Sequence, residues 1–151
     1  MSSLLQGEQV LWGRMSGPDR RHAVGVARDT LRLLGGDDQP REVVAAALLH
    51  DVGKVEARLG TFSRVGVTLV AMAAGRGRLL AWAGSPPEGG RMSVRNRVGV
   101  YLAHDRVGGE LLEAAGSQAL TATWAREHHL APARWTVDAE VGAALKAADG
   151  D

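Results

Sequence analysis

The chain has 151 residues and a mass of 15.9 kDa, enough for one domain with its own hydrophobic core and short for two. Eighteen Lys and Arg against seventeen Asp and Glu leave a net charge of +1, without the strong positive field of a nucleic-acid binder, and zero cysteines exclude disulfides, thiolate metal sites and Cys nucleophiles. The longest uncharged apolar stretch, 65 to 75, is too short to cross a bilayer, and the first residues form no secretory leader, so a soluble cytoplasmic protein without membrane or nucleic-acid partners is expected.

Alanine, leucine and arginine are abundant, aromatics make up 4%, and no stretch keeps a period-two alternation. The expected fold class is therefore all-α, a bundle of about six to eight helices in one domain over 1–151 with its core at 16–150. A first helix is placed around Leu4 to Met15. The clearest helix opens at Ser16-Gly17-Pro18-Asp19, with Ser16 as cap and Pro18 in the first turn, and stops at Gly35-Gly36. On it Ala23, Val24, Val26, Ala27, Thr30, Leu31, Leu33 and Leu34 share one face, and His22 lies at its border.

A second helix after Pro40 carries Val43-Val44-Ala45-Ala46-Ala47-Leu48-Leu49, apolar all round and therefore central, and ends in His50-Asp51. Helices are expected next at Phe62 to Ala74, Leu79 to Ala83 and Val94 to Ala103, with a loop over Ser85 to Gly90. Three more are expected at Asp105 to Ala115, Ser117 to His129, and from Val137 onward.

All five histidines, His22, His50, His104, His128 and His129, fall at informative places. His104 shares a face with Val107, Gly108 and Leu111, while His128 follows Leu120 and Trp124 in steps of four. Asp149 lies at the margin of the apolar face of the last helix. Imidazoles and carboxylates thus aim inward from at least five segments. Buried without partners, each would cost roughly 2 to 7 kcal/mol, a penalty that a shared cation removes. Nitrogen and oxygen donors suit iron, manganese, cobalt, nickel or zinc.

His22, then His50-Asp51, then Asp149 resembles the H…HD…D signature of the HD-domain metal-dependent phosphohydrolases, and His50-Asp51-Val52-Gly53-Lys54 is similar to the form in which a lysine follows the pair. A lone His-Asp dipeptide is weak, since five His and nine Asp predict ~0.3 by chance and a second one, His104-Asp105, is present. The context separates them: the first ends the most apolar helix. His104 resembles the middle-helix histidine of members with two metals, and His128-His129 resembles their later pair.

The resemblance implies that His22, His50, Asp51 and Asp149 hold one divalent transition metal and that His104 and His128 help hold a second, with Asp51 bridging; iron or manganese is favoured. It implies hydrolysis of a small phosphorylated substrate, most naturally a nucleotide ester or anhydride, by a metal-activated water. In that chemistry Asp51 and Lys54 are catalytic, Lys54 facing a phosphate oxygen or the leaving group, while His129 and Arg21 support the ligands or touch substrate. Arg91, Arg95, Arg97 and Arg106 are further phosphate-contact candidates. The chain continues Leu130-Ala131-Pro132-Ala133 where the cyclic-di-nucleotide branch has Gly-Tyr-Pro, and Pro18 stands where trinuclear members have glutamate. Lys54 also fits a helix C-terminal cation. A di-iron oxygenase on the same scaffold and a non-catalytic metal- and nucleotide-binding module remain alternatives.

Overall fold

The computed structural model describes residues 3–57 and 103–150, and every regular element among them is helical. In chain order these are α1 (Gln6–Arg14), α2 (Gly17–Leu33), α3 (Arg41–Leu49), the single turn α4 (Lys54–Ala57), α5 (His104–Ala114), α6 (Ala119–Glu127) and α7 (Ala139–Asp149), with a 3-10 turn over Pro132–Arg134 before α7. The expected helices over 62–74 and 79–83, most of the one over 94–103, the loop over 85–90, and Arg91, Arg95 and Arg97 fall outside the described residues.

Local chemistry sets the helix boundaries. Ser16 Oγ accepts the Asp19 backbone N–H at the start of α2, and Pro18 sits in the first turn where no intrahelical donor is lost. Past the end of α2, Gly35 and Gly36 take φ of 89° and 130°, backbone that other residues rarely adopt. Asp138 caps α7 by accepting from the Glu140 and Val141 amides. α1 starts differently: the Glu8 carboxylate reaches back to the Leu5 amide at 2.7 Å and also takes Arg41 Nη1 at 2.8 Å, a buried ion pair tying α1 to the start of α3.

α3 is the central element, and its small side chains let neighbours approach from both sides. Ala45 and Leu49 enter one core with Leu11, Leu112, Ala122 and Ala125, from α1, α5 and α6. Ala46 and Ala47 enter a second with Val26, Trp124 and Leu145, from α2, α6 and α7. α2 buries a narrower stripe than its periodicity suggests: Ala23, Val26, Ala27 and Thr30 are inside, whereas Val24 and Leu33 are 54% and 57% exposed. Those two sit on the flanks of the stripe, where the neighbouring helices do not reach. No helix among the described residues is long and apolar enough to cross a membrane.

Candidate metal centre

The packing that makes α3 central also sets helix ends against each other. His50 is the C-cap of α3 and His128 the C-cap of α6, Asp149 is the last residue of α7, and His104 is the first of α5. His22 lies in the second turn of α2. Three carboxyl-terminal helix ends, each carrying partial negative charge, thus bring their last side chains to one place, an arrangement that favours a cation.

Two groups of donors result, each with ligand atoms within 4.8 Å of one another. In the first, Asp149 Oδ1 lies 2.8 Å from His22 Nε2 and 3.3 Å from His50 Nε2. In the second, His104, His128 and His129 converge, with 3.2 Å between the Nε2 atoms of His104 and His129. Asp51 stands between them. Its Oδ2 is 3.5 Å from His50 Nε2 and pairs with Lys54 Nζ, while its Oδ1 is 3.4 Å from His104 Nε2 and 3.8 Å from His128 Nε2. Donors sharing an ion at ~2.1 Å lie ~3 to 4 Å apart, so these separations suit coordination.

Buried polar atoms test whether the residues fit a metal. His50 Nδ1 is 2.9 Å from the Ala47 carbonyl and His128 Nδ1 is 3.0 Å from the Ala125 carbonyl, so each ring donates its Nδ1 proton to its own helix. That turns Nε2 of both rings toward the site, the orientation found in metal-binding histidines. His50 Nε2, His128 Nε2 and Asp51 Oδ1 are buried and hydrogen-bond to nothing among the described residues. The carboxylate oxygens near His50 are close but misaligned. Leaving such an atom unpaired costs about 1–3 kcal/mol, and three at one point is a sizeable fraction of a domain's stability. The donor set therefore fits divalent transition metals held by nitrogen and oxygen.

Protonation is consistent with this. Burial drives the His128 ring down to about 3, assisted by His129 and His50, so it is neutral at pH 7. Burial opposes ionisation of Asp51, but His104, His50 and Lys54 overcome it and hold the carboxyl well below the usual carboxylate range. Asp149 is likewise held low: burial opposes, and His50 and His22 prevail. His50 moves the other way, because Asp149 and Asp51 outweigh burial and favour its protonated form. A metal held here would take the place of that proton.

The remaining expected residues divide. Lys54 is at the cluster, paired with Asp51 and one-fifth exposed. The His22 ring is 46% exposed and His129 is exposed, whereas His50 is buried, so the cluster has an open edge at His22 and His129 and a closed back at His50 and His128. Arg21 is exposed on α2 with its guanidinium folded back toward Gly17, and Arg106 is exposed and paired with Glu110.

Two further residues, Gly53 and Glu127, shape the site. Gly53 lies directly on the first turn of α5: a Cβ there would stand 1.9 Å from the His104 carbonyl oxygen and 2.6 Å from the Gly108 nitrogen. Only glycine permits this crossing, and the crossing brings Asp51 to His104. Glu127 is buried next to His128 and accepts both the backbone N–H and the hydroxyl of Thr136 at 2.7 Å, fixing the turn that follows the paired histidines. Gly53, two residues past Asp51, is visible in the sequence, but the helix it touches begins only at His104.

Compared with protein-family models, with curated proteins and with solved structures, the chain matches none.

Proposed function

We propose that the chain is a metal-dependent phosphohydrolase of the HD-domain type, cleaving a phosphate ester or anhydride of a small metabolite, a nucleotide by the resemblance of its motifs. The observation that supports this reading most is the position of Asp51 between the two donor groups, with one oxygen toward each. His22, His50, Asp51 and Asp149 would hold one divalent ion and Asp51, His104 and His128 a second, with His129 as a further donor or a substrate contact. Iron or manganese is favoured and zinc, cobalt or nickel are compatible. Such ions, when bound, supply a water of lowered pKa and Lewis acidity toward phosphoryl oxygens.

The chain's own groups do the rest. Lys54 Nζ pairs with Asp51 Oδ2, which fixes the carboxylate and keeps an ammonium beside the donors, where it would meet a phosphate oxygen. His50 and His128, anchored through Nδ1, form a rigid floor. The open edge at His22 and His129 admits an anionic group while the core behind excludes water.

The test is phosphate release from a panel of mono-, di- and dinucleoside phosphates, using untagged protein supplied with manganese, iron or zinc. Turnover in at least one combination is expected, and Asp51→Ala should reduce it by on the order of a thousandfold or more with helix content retained. Undiminished turnover in Asp51→Ala would refute the mechanism. Oxygen consumption with no phosphate release would replace this reading with an oxygenase, and metal and nucleotide binding without turnover would replace it with a signalling module.

A further inference from the structure

α7 has two apolar faces. Val141, Ala144, Leu145 and Ala148 face α2 and the core. Ala139, Ala143 and Ala147, at steps of four, are exposed, and beside them the chain leaves a concavity of about 460 Å³ whose opposite wall is Trp135 with Pro132. That volume is in the range of small-molecule sites.

The wall is built before any ligand arrives. Trp135 Nε1 donates to the Leu130 carbonyl at 3.2 Å, and its ring meets buried Trp124 edge-on at 5.5 Å. Gly142 lies under the indole: a Cβ there would come within 2.9 Å of it, so the missing side chain is what lets the ring sit so close to the helix. With its N–H already used, Trp135 offers the groove an apolar surface of fixed orientation.

The lining is almost wholly apolar and contains one charged side chain, Lys146, which pairs with no carboxylate among the described residues. No acidic residue among the described residues lines it. Asp149 projects about a quarter-turn of helix away, toward His22 and His50, so the groove lies beside the histidine cluster and uses none of its donors.

We propose that this groove binds a small amphipathic anion: a flat apolar body against Trp135 and the alanines, and one carboxylate or phosphate on Lys146. A cation would be repelled by the ammonium, and a neutral molecule would forgo its charge. An apolar lining with one polar group for orientation is the usual composition of a small-ligand site.

The test uses the full chain with 1-naphthoate, 1-naphthyl phosphate and neutral 1-naphthol, followed by tryptophan fluorescence and calorimetry, before and after metal removal by chelation. Saturable one-to-one binding of at least one anion is expected, surviving chelation. Ala143→Trp fills the groove from an exposed position and should weaken binding at least tenfold, with circular dichroism unchanged. Lys146→Gln should weaken the anions about fivefold and leave 1-naphthol unaffected. Tighter binding of the phosphate than of the carboxylate would assign the site to phosphate esters, and the reverse to carboxylates. Absence of saturable binding, affinity unaltered in both variants, or binding lost on chelation would overturn the proposal. Because binding is read without turnover, this result is independent of whether the metal centre hydrolyses phosphate.

Discussion

Two buried charged clusters sit on opposite ends of α3. At its start, Glu8 is neutralised within the protein: one carboxylate oxygen takes Arg41 and the Leu5 amide, joining α1 to α3. At its end, His50 and Asp51 meet His22, His104, His128, His129 and Asp149, and there His50 Nε2, His128 Nε2 and Asp51 Oδ1 are buried without hydrogen bonds among the described residues. The first cluster is complete as a structural tie, although Glu8 Oε1 also lacks a hydrogen-bond partner among the described residues. The second has donors aimed at shared points, an arrangement that a bound cation would satisfy together. Burial alone therefore does not mark a site; the marker is several metal-ligating side chains from different helices, with unpartnered buried atoms among them, brought to one place.

Substitutions can separate the two. The largest effect on the site, short of removing Asp51, is expected from Gly53→Ala, whose methyl group must push the Asp51 turn away from the His104 carbonyl. Metal affinity should drop roughly 10–100-fold, as when a support of a metal ligand is lost, and equilibrium dialysis would measure it. Retention of full affinity would mean that the α5 crossing does not set the Asp51 position. Glu8→Ala should do the opposite, costing about 1–3 kcal/mol in urea unfolding by removing the charge-assisted tie between α1 and α3, with Arg41 keeping the Ser3 carbonyl and Gln118, while metal content stays the same. A fall in metal content would show the clusters to be coupled through α3.

Acid sensitivity sharpens the contrast further. The folded His128 ring titrates at about 3 against 6.5 for an ordinary histidine, so between those values the unfolded chain takes up a proton that the folded chain refuses. Its effect in the metal-free chain is a stability that rises with pH across that window. The depressed Asp51 and Asp149 act in the same sense at lower pH, their contribution being present above ~3.9 and lost as pH falls through their folded values. His50 opposes, since its raised value contributes stability that is full below ~6.5 and lost as pH rises through the folded value. His128→Asn should therefore flatten the pH dependence of the metal-free unfolding midpoint between pH 6 and 4.5, and an unchanged slope would contradict the neutral state assigned to His128.

Much of this was legible in the residues. The Ser16 cap, the Gly35-Gly36 stop and the apolar run from Val43 to Leu49 placed α2 and α3, because each acts through its immediate neighbours. Helical spacing likewise put His104 and His128 on inward faces. What period alone missed is long-range: Val24 and Leu33 lie at the edge of a stripe whose width depends on neighbouring helices, and the need for Gly53 comes from α5, far along the chain. His129 was harder for a related reason. It lies just past the C-cap of α6, where helical spacing no longer fixes a side chain's direction, and the turn clamped by Glu127 and Thr136 brings it to His104.

The most direct test of the metal centre is a titration of the chelator-treated chain with cobalt(II), followed by visible absorption and checked by elemental analysis. Saturation near two equivalents per chain is predicted, with Asp51→Ala abolishing tight uptake at both positions. Failure to bind any ion tightly, or two equivalents still bound tightly by Asp51→Ala, would contradict it.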